Sequence, residues 1–325
     1  MNGREWEGER KAGSDEHLLW ERLLGERITD IQPFRRNWLV TTSHGCWVAK
    51  QSRRPAFLRW WAGVDREMRN RGFKGMPRWL TDGQKWQLSA WIQGRSAQYG
   101  DRNDLTGSAG VLGKFHRLGR RLHTPTLSPG RHLIRRVEER FHSFVQLIRT
   151  TPPSSQVRQV LQPVEGELLH CGQQVLDALA RYPWDYWCGR EQRMQSLVHR
   201  DLASHNWVWD FTGKGWLIDF DTAGYDLQVG DLWQLLSRAM WEQDWDVSIL
   251  HRTMAAYERE RPLPLVEREL LRILLAFPNE IYREALGLSR GDPDYALART
   301  LPYLQSLVAK VSRWRPWTRF RPWLV

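Results

Sequence analysis

Residues 197–209 read "LVHRDLASHNWVW" and set His199, Asp201 and Asn206 in one short polar run between apolar flanks. Next comes "WVWDFTGKGWLIDFD", in which 207–211 and 216–220 read as strands and 212–215 as the turn between them. Such a hairpin doubles the chain back and brings Asp219 next to Asn206. These residue types suit phosphoryl transfer to a hydroxyl. That reaction needs a carboxylate to orient the attacking hydroxyl and take its proton. It also needs oxygen ligands for Mg²⁺ and a cation near the transferring phosphates. Asp201 supplies the first; Asn206 and Asp219 supply the second. The bland alternative is a polar turn between strands, against which spacing and flanks agree throughout. A decayed site that keeps only the fold is the more serious alternative.

Other elements must hold this set in place. Residues 1–16 read as a charged, mobile arm, and 17–26 as a helix. Residues 38–42 and 46–51 are strand-like, joined by a turn at Ser43, His44 and Gly45. Phe57, Trp60, Trp61, Val64 and Met68 recur at spacings of three and four, as on an amphipathic helix that Gly72 ends. A strand, an Asp82-Gly83 turn and another strand follow. From 105–122 onward helical periodicity dominates, through 131–148 and 161–179, with a break at "TPPSS" and helices again from Asp231. The expected architecture is α+β in two lobes. A small mixed lobe spans 17–93 and a large, mainly helical lobe spans 94–312, with a cleft where they join. His116 and His170 read as packing or surface histidines.

With 325 residues, 41% of them hydrophobic, the chain can bury a sizeable core. Lys plus Arg is 48 against 37 for Asp plus Glu, a net charge of +11 that suits an anionic partner. The charge is spread along the chain and no nucleic-acid reader motif is present, so nucleic acid is not the expected partner. Cys46, Cys171 and Cys188 form no C-x-x-C pair, which argues against a disulfide framework or zinc site and fits a reducing compartment. The first residues lack the apolar stretch of a secretory signal, and no run is long enough to span a membrane. Most of the 20 tryptophans are expected in packing. The stretch "RWRPWTRFRPW" in the 313–325 tail is different. Its prolines predict an irregular tail, which either packs on the helical lobe as an aromatic strap or adheres to anionic surfaces and adds nothing to folding; the second is the expectation.

"HRDLASHN" followed by "LIDFD" resembles the catalytic and metal-binding loops of the protein-kinase-like fold. Within that fold the pattern is similar to the aminoglycoside and choline phosphotransferase branch, where the metal Asp precedes an aromatic and an acidic residue. "GDLWQLL" resembles that branch's Asp-Leu entry into a long helix. "LSAWIQGR", "LGKFHRLG" and "LAFPNEIYREALGL" resemble the hinge, the next helix and the late Phe-Pro helix of bacterial spore coat CotS-type proteins. The resemblance implies an ATP- and Mg²⁺-dependent kinase for a small-molecule or sugar hydroxyl, in the mother-cell cytoplasm and spore coat. The other implied possibility is an inactive coat assembly protein with coat proteins or anionic coat polymers as partners.

Carried over residue by residue, Asp201 is the catalytic Asp and His199 the loop histidine grouped with it. Asn206 and Asp219 are the Mg²⁺ ligands, and Asp231 is the buried Asp that holds the loop backbone and caps a helix. Lys50 in "WVAK" grips the phosphates with Glu67 as its partner, Asp65 being the alternative that faces elsewhere. Trp91 and Ile92, in the hinge that runs to Gly94, give backbone contacts to adenine. Two departures stand out. "QPFRRNWLV" occupies the place of the phosphate-covering loop without a glycine. Ala203 stands where the branch carries a basic group, leaving His205 as the nearest substitute.

Overall fold

Val40, Trp47 and Ala49 alternate with more exposed neighbours, so the strands that carry them bury one face. The computed structural model describes residues 13–127 and 133–318. Within them the chain forms two units. One gathers the described residues up to Arg95, with His123–Leu127 and Val208–Ile218. The other takes Ser96–Leu122, the described residues from Leu133 to Trp207, and those from Asp219 onward.

The first unit opens with α1 (Ser14–Leu24), β1 (Ile28–Phe34), β2 (Asn37–Thr42) and β3 (Gly45–Gln51). It continues with α2 (Pro55–Asn70), β4 (Trp79–Thr81) and β5 (Trp86–Ala90). The strands form one antiparallel sheet in the order β1-β2-β3-β5-β4. Trp20 and Leu24 of α1 close one face of this sheet against Trp47, Ala49, Trp86 and Leu88, with the Trp20 and Trp86 rings edge to face at 4.9 Å.

One expectation is corrected here. Helix α1 starts at Ser14, because the Glu16 side chain reaches back to the Gly13 N–H. Residues 14–16 of the expected arm are therefore helical, and 1–12 lie outside the described residues. The stretch expected in the place of a phosphate-covering loop forms the hairpin between β1 and β2. Phe34 pairs with Asn37, leaving only Arg35 and Arg36 in the turn. Arg35 takes φ 54°, the left-handed conformation that a two-residue hairpin turn demands.

The chain then enters β6 (Gly94–Ser96), α3 (Arg102–Leu118), α4 (Leu133–Thr150), α5 (Gln156–Leu161) and α6 (Glu165–Leu179). Next come α7 (Trp184–Arg193), β7 (Leu197–Val198), β8 (Trp207–Asp210), β9 (Gly215–Leu217) and β10 (Gly224–Tyr225). Helices α8 (Val229–Glu242), α9 (Val247–Glu258), α10 (Leu265–Leu275), α11 (Asn279–Ser289), α12 (Leu297–Ala309) and α13 (Val311–Thr318) complete the second unit.

Helices α3 and α9 cross closely because position 113 is glycine. A Cβ there would stand 2.5 Å from the Tyr257 carbonyl oxygen. Gly113→Ala forces the helices apart and is expected to destabilise by about 1–3 kcal/mol, the usual penalty of overpacking. Denaturant unfolding measures this, and an unchanged midpoint would show that the crossing yields without strain.

The tail expectation is overturned for the part that is described. Residues 313–318 are helical within α13, Pro316 included. Trp314 is fully buried, its Nε1–H donates to the Leu275 carbonyl at 3.1 Å, and its ring lies 6.0 Å from that of Trp241. Arg315 forks onto Glu167 at 2.7 and 2.8 Å. Burial of one large indole outweighs the poor helix propensity of a proline-bearing segment. Residues 319–325 lie outside the described residues.

Candidate active site

The site is built on α8. Strands β7 and β10 pair, Leu197 with Tyr225 and Val198 with Gly224, and this delivers the chain to His199. The backbone N–H groups of His199 and Arg200 both donate to Asp231, at 2.6 and 2.9 Å. Asp231 is buried and thus braces the loop, as the resemblance implied. It is not the helix cap: it lies inside the first turn of α8, and Gln228 stands at the cap position. Its Oδ2 also lies 3.2 Å from His116 Nε2, and His116 Nδ1 lies 2.7 Å from the Tyr257 hydroxyl.

Burial works to raise the Asp231 carboxyl, but His116 and the His199 N–H outweigh it and hold it below the usual carboxylate range. Burial lowers the His116 imidazole, more than Asp231 raises it. The pair is therefore a carboxylate beside a neutral imidazole that donates to it and accepts from Tyr257. Both groups hold protons less tightly folded than unfolded. As pH falls the unfolded chain takes up protons first, so stability declines from about pH 6.5 downward and again as the carboxylate range is reached. Unfolding free energy between pH 7.5 and 5.5 is expected to fall, and His116→Gln to flatten the slope. Identical slopes for the two proteins would remove His116 from this account.

Beyond Arg200 the loop is pinned at each step. His199 is fully buried, and its Nδ1 accepts the Asp201 N–H at 3.3 Å. Although grouped with Asp201 as catalytic, it is therefore a positioning residue. Gln234 accepts the Leu202 N–H at 2.8 Å and donates to the Arg200 carbonyl at 3.1 Å. Asn206 Nδ2 donates to the Asp201 carbonyl at 2.9 Å and to its Oδ2 at 3.1 Å. Arg238 Nη1 donates to the other oxygen, Oδ1, at 3.4 Å. Both oxygens of a half-exposed carboxylate are thus aimed.

The segment after Asp219 returns to this loop. The Phe220 ring meets the His199 ring edge on at 4.9 Å, and the Thr222 hydroxyl donates to the His199 carbonyl at 2.8 Å. Asp219 is exposed. Asp219 and Arg200 adopt φ 61° and 70°. Left-handed backbone at non-glycine residues costs of order 1–3 kcal/mol and gathers at functional sites.

Among the described residues no three His, Cys, Asp or Glu side chains cluster as a metal site. The donors expected from the sequence are the Asn206 amide oxygen and the Asp219 carboxylate. With Nδ2 of Asn206 directed to Asp201, its Oδ1 is the atom left for a cation. That set suits Mg²⁺, which takes few protein ligands and fills its octahedron with water and substrate phosphate.

The other expected residues lie in the first unit. Lys50 is half-buried on β3, opposite Gln87 and on the face away from Trp47 and Ala49. Glu67 on α2 does not have Lys50 among its described partners. Its carboxylate takes the His123 N–H at 2.9 Å, the His123 ring at 2.9 Å, the Thr124 hydroxyl at 3.3 Å and Arg71 at 2.6 Å. It also borders a cavity of about 520 Å³ with Arg59 and Arg66. Asp65 is buried and paired with Arg69 at 2.8 Å. Trp91 is 42% exposed, and its N–H donates to the Cys46 carbonyl at 2.8 Å, so that group is engaged within the sheet. Ile92 beside it is half-buried.

Sequence reasoning missed Arg238. The basic group beside Asp201 comes from α8, whereas Ala203 has no charge to offer and His205 is an exposed residue of a 3-10 turn. A signal was present. Asp231, Gln234 and Arg238 fall at i, i+3 and i+7, on one face of the helix, and all three touch the same loop.

A strand-hairpin lobe, a helical unit and a loop that presents an aimed aspartate before an asparagine make up a kinase-like fold. The chain belongs to the phosphotransferase enzyme family, which matches residues 33–270. It is similar in fold to an aminoglycoside phosphotransferase from Alicyclobacillus acidocaldarius, with TM-score 0.77, 19% identity, and 92% of this chain and 93% of that one covered. A spectinomycin phosphotransferase solved with ADP and spectinomycin gives 0.63 at 12% identity, with 93% and 98% covered. A choline/ethanolamine kinase family protein from Mesorhizobium loti gives 0.53 at 15%, with 90% and 92% covered. Among the described residues no helix is long and apolar enough to cross a membrane.

Proposed function

We propose that this protein is a Mg²⁺- and ATP-dependent kinase that phosphorylates a hydroxyl of a small molecule or sugar. The carrying observation is Asp201, half-exposed, with one oxygen held by Asn206 and the other by Arg238. In this reading Asp201 orients the acceptor hydroxyl and takes its proton as the acceptor oxygen bonds to the γ-phosphorus and the bond to the departing ADP breaks. Asn206 and Asp219 hold the Mg²⁺, which when bound neutralises the phosphate charge. His199 and Asp231 fix the loop. In the first unit, Lys50 meets the phosphates, Glu67 orders the end of α2 beside His123, and Trp91 and Ile92 lie along the adenine. ADP bound to a spectinomycin phosphotransferase of the same fold supports nucleotide use. The expected signature is a rise in melting temperature with ATP that requires Mg²⁺. At a hundredfold excess over Kd it corresponds to about 2.7 kcal/mol. No shift at millimolar Mg²⁺-ATP, for folded protein, would remove the nucleotide from the reading.

The spore coat assignment rests on the three segments that resemble CotS-type proteins. It proposes a mother-cell origin and coat proteins or anionic coat polymers as neighbours. Co-fractionation with purified spore coats tests it, and a purely vegetative distribution would end it. One observation favours a non-catalytic coat protein as the second reading: a two-residue arginine turn stands in place of a glycine-rich phosphate loop.

A further inference from the structure

The second unit carries a cluster of charge beside Asp201 that phosphoryl transfer alone does not require. Arg238 is 12% exposed, bonds Asp201, and has an Nε buried without a hydrogen-bond partner among the described residues, 3.9 Å from Glu280. Glu280 is fully buried and is held closely by Arg283 at 2.7 Å, which also takes Glu284 at 2.6 Å. Arg140 of α4 is half-buried against the same spot. It donates to the neutral Asn279 side chain, and no carboxylate of the described residues lies within ion-pair distance of it. Burial first, and then the neighbouring Arg283, Arg136 and Arg238, pull the Arg140 guanidinium down to about 10, with Glu280 as the main opposing charge. Like charges crowded in a partly buried place are costly unless an anion joins them.

We propose that the missing anion belongs to the acceptor: a carboxylate or phosphate beside the hydroxyl that is phosphorylated, gripped by Arg140 and Arg238. The inference rests on the kinase reading and sets the acceptor apart from cationic amino sugars and amino alcohols. An arginine fork recognises either oxyanion, so carboxylate and phosphate are separated by experiment.

The test uses the full chain with Mg²⁺-ATP and four hydroxyl compounds: glycerol, glucosamine, gluconate and glycerol 3-phosphate. Turnover is expected with gluconate or glycerol 3-phosphate, whichever matches the anion. In Arg140→Gln, KM for that compound should rise about 10- to 100-fold, the loss of one charge-assisted contact, and by far more than kcat falls. Arg140→Lys keeps the charge without the fork and should lie between, and melting temperatures confirm that both variants fold. Turnover confined to glycerol or glucosamine overturns the anionic acceptor while leaving the kinase intact. If nothing is turned over, calorimetric binding of glycerol 3-phosphate or gluconate that Arg140→Gln abolishes still supports the anion site, and the kinase reading alone fails. Absence of both turnover and anion binding overturns the proposal.

Discussion

Asp201→Asn is expected to lower turnover by roughly 10² to 10⁴, the usual worth of a general base. The amide preserves the size of the side chain and keeps one acceptor, enough for Asn206 or Arg238 but not both, at a half-exposed position, so nucleotide affinity and melting temperature should change little. The contrast with neighbouring substitutions makes the test discriminating. Asp219→Ala should also weaken Mg²⁺-dependent nucleotide binding. Asp231→Ala should chiefly destabilise, because it strips the acceptor from the buried His199 and Arg200 N–H groups, each worth about 1–3 kcal/mol when left unmet. Full activity in Asp201→Asn would exclude proton transfer at this carboxylate, whereas no turnover by the wild type on a broad hydroxyl panel, with coat assembly unchanged in Asp201→Asn, would move the assignment to the coat-protein reading.

Trp314→Ala is expected to destabilise the protein by about 3–5 kcal/mol, as removal of a fully buried indole does. The loss combines a cavity beside Trp241 with an unmet carbonyl at Leu275. Chemical denaturation of wild type, Trp314→Ala and Arg313→Ala measures it. Arg313 is half-exposed in its pair with Asp244, and a pair of that kind contributes at most about 1 kcal/mol. Equal, small effects from both would mean that α13 frays without consequence.

What was legible in the sequence was local. Asp201 and Asn206 lie five residues apart in one loop, so spacing alone brings them together. The α2 periodicity was equally plain, since Phe57, Trp60, Trp61, Val64 and Met68 are all buried. Illegible features depended on partners distant in the chain. Arg238 reaches Asp201 across 37 residues, and only the helical phase it shares with Asp231 hinted at this. Glu67 meets His123 across 56 residues, where no pattern joins them. The β1–β2 turn lacks Gly and Asn, the usual signals, and Arg35 adopts the left-handed conformation in their place. Proline made 313–318 read as irregular, because propensity is visible in a sequence and the burial of Trp314 is not.

The first unit is stitched from separated stretches of chain, and this governs how it is made. The Leu217 N–H bonds the Gly75 carbonyl at 2.7 Å, and Trp209 packs so tightly on Gly94 that a Cβ there would stand 2.3 Å from its carbonyl oxygen. Glu67, meanwhile, waits for His123 and Thr124. During synthesis, which delivers about 5–20 residues each second, the five strands can pair as they emerge, but the unit is not yet complete. It remains open until residue 218 has left the ribosome, by which time much of the helical unit is already outside. A recombinant fragment ending at Arg95 would hold the five strands of the sheet but lack His123, Thr124 and residues 208–218, which complete the unit.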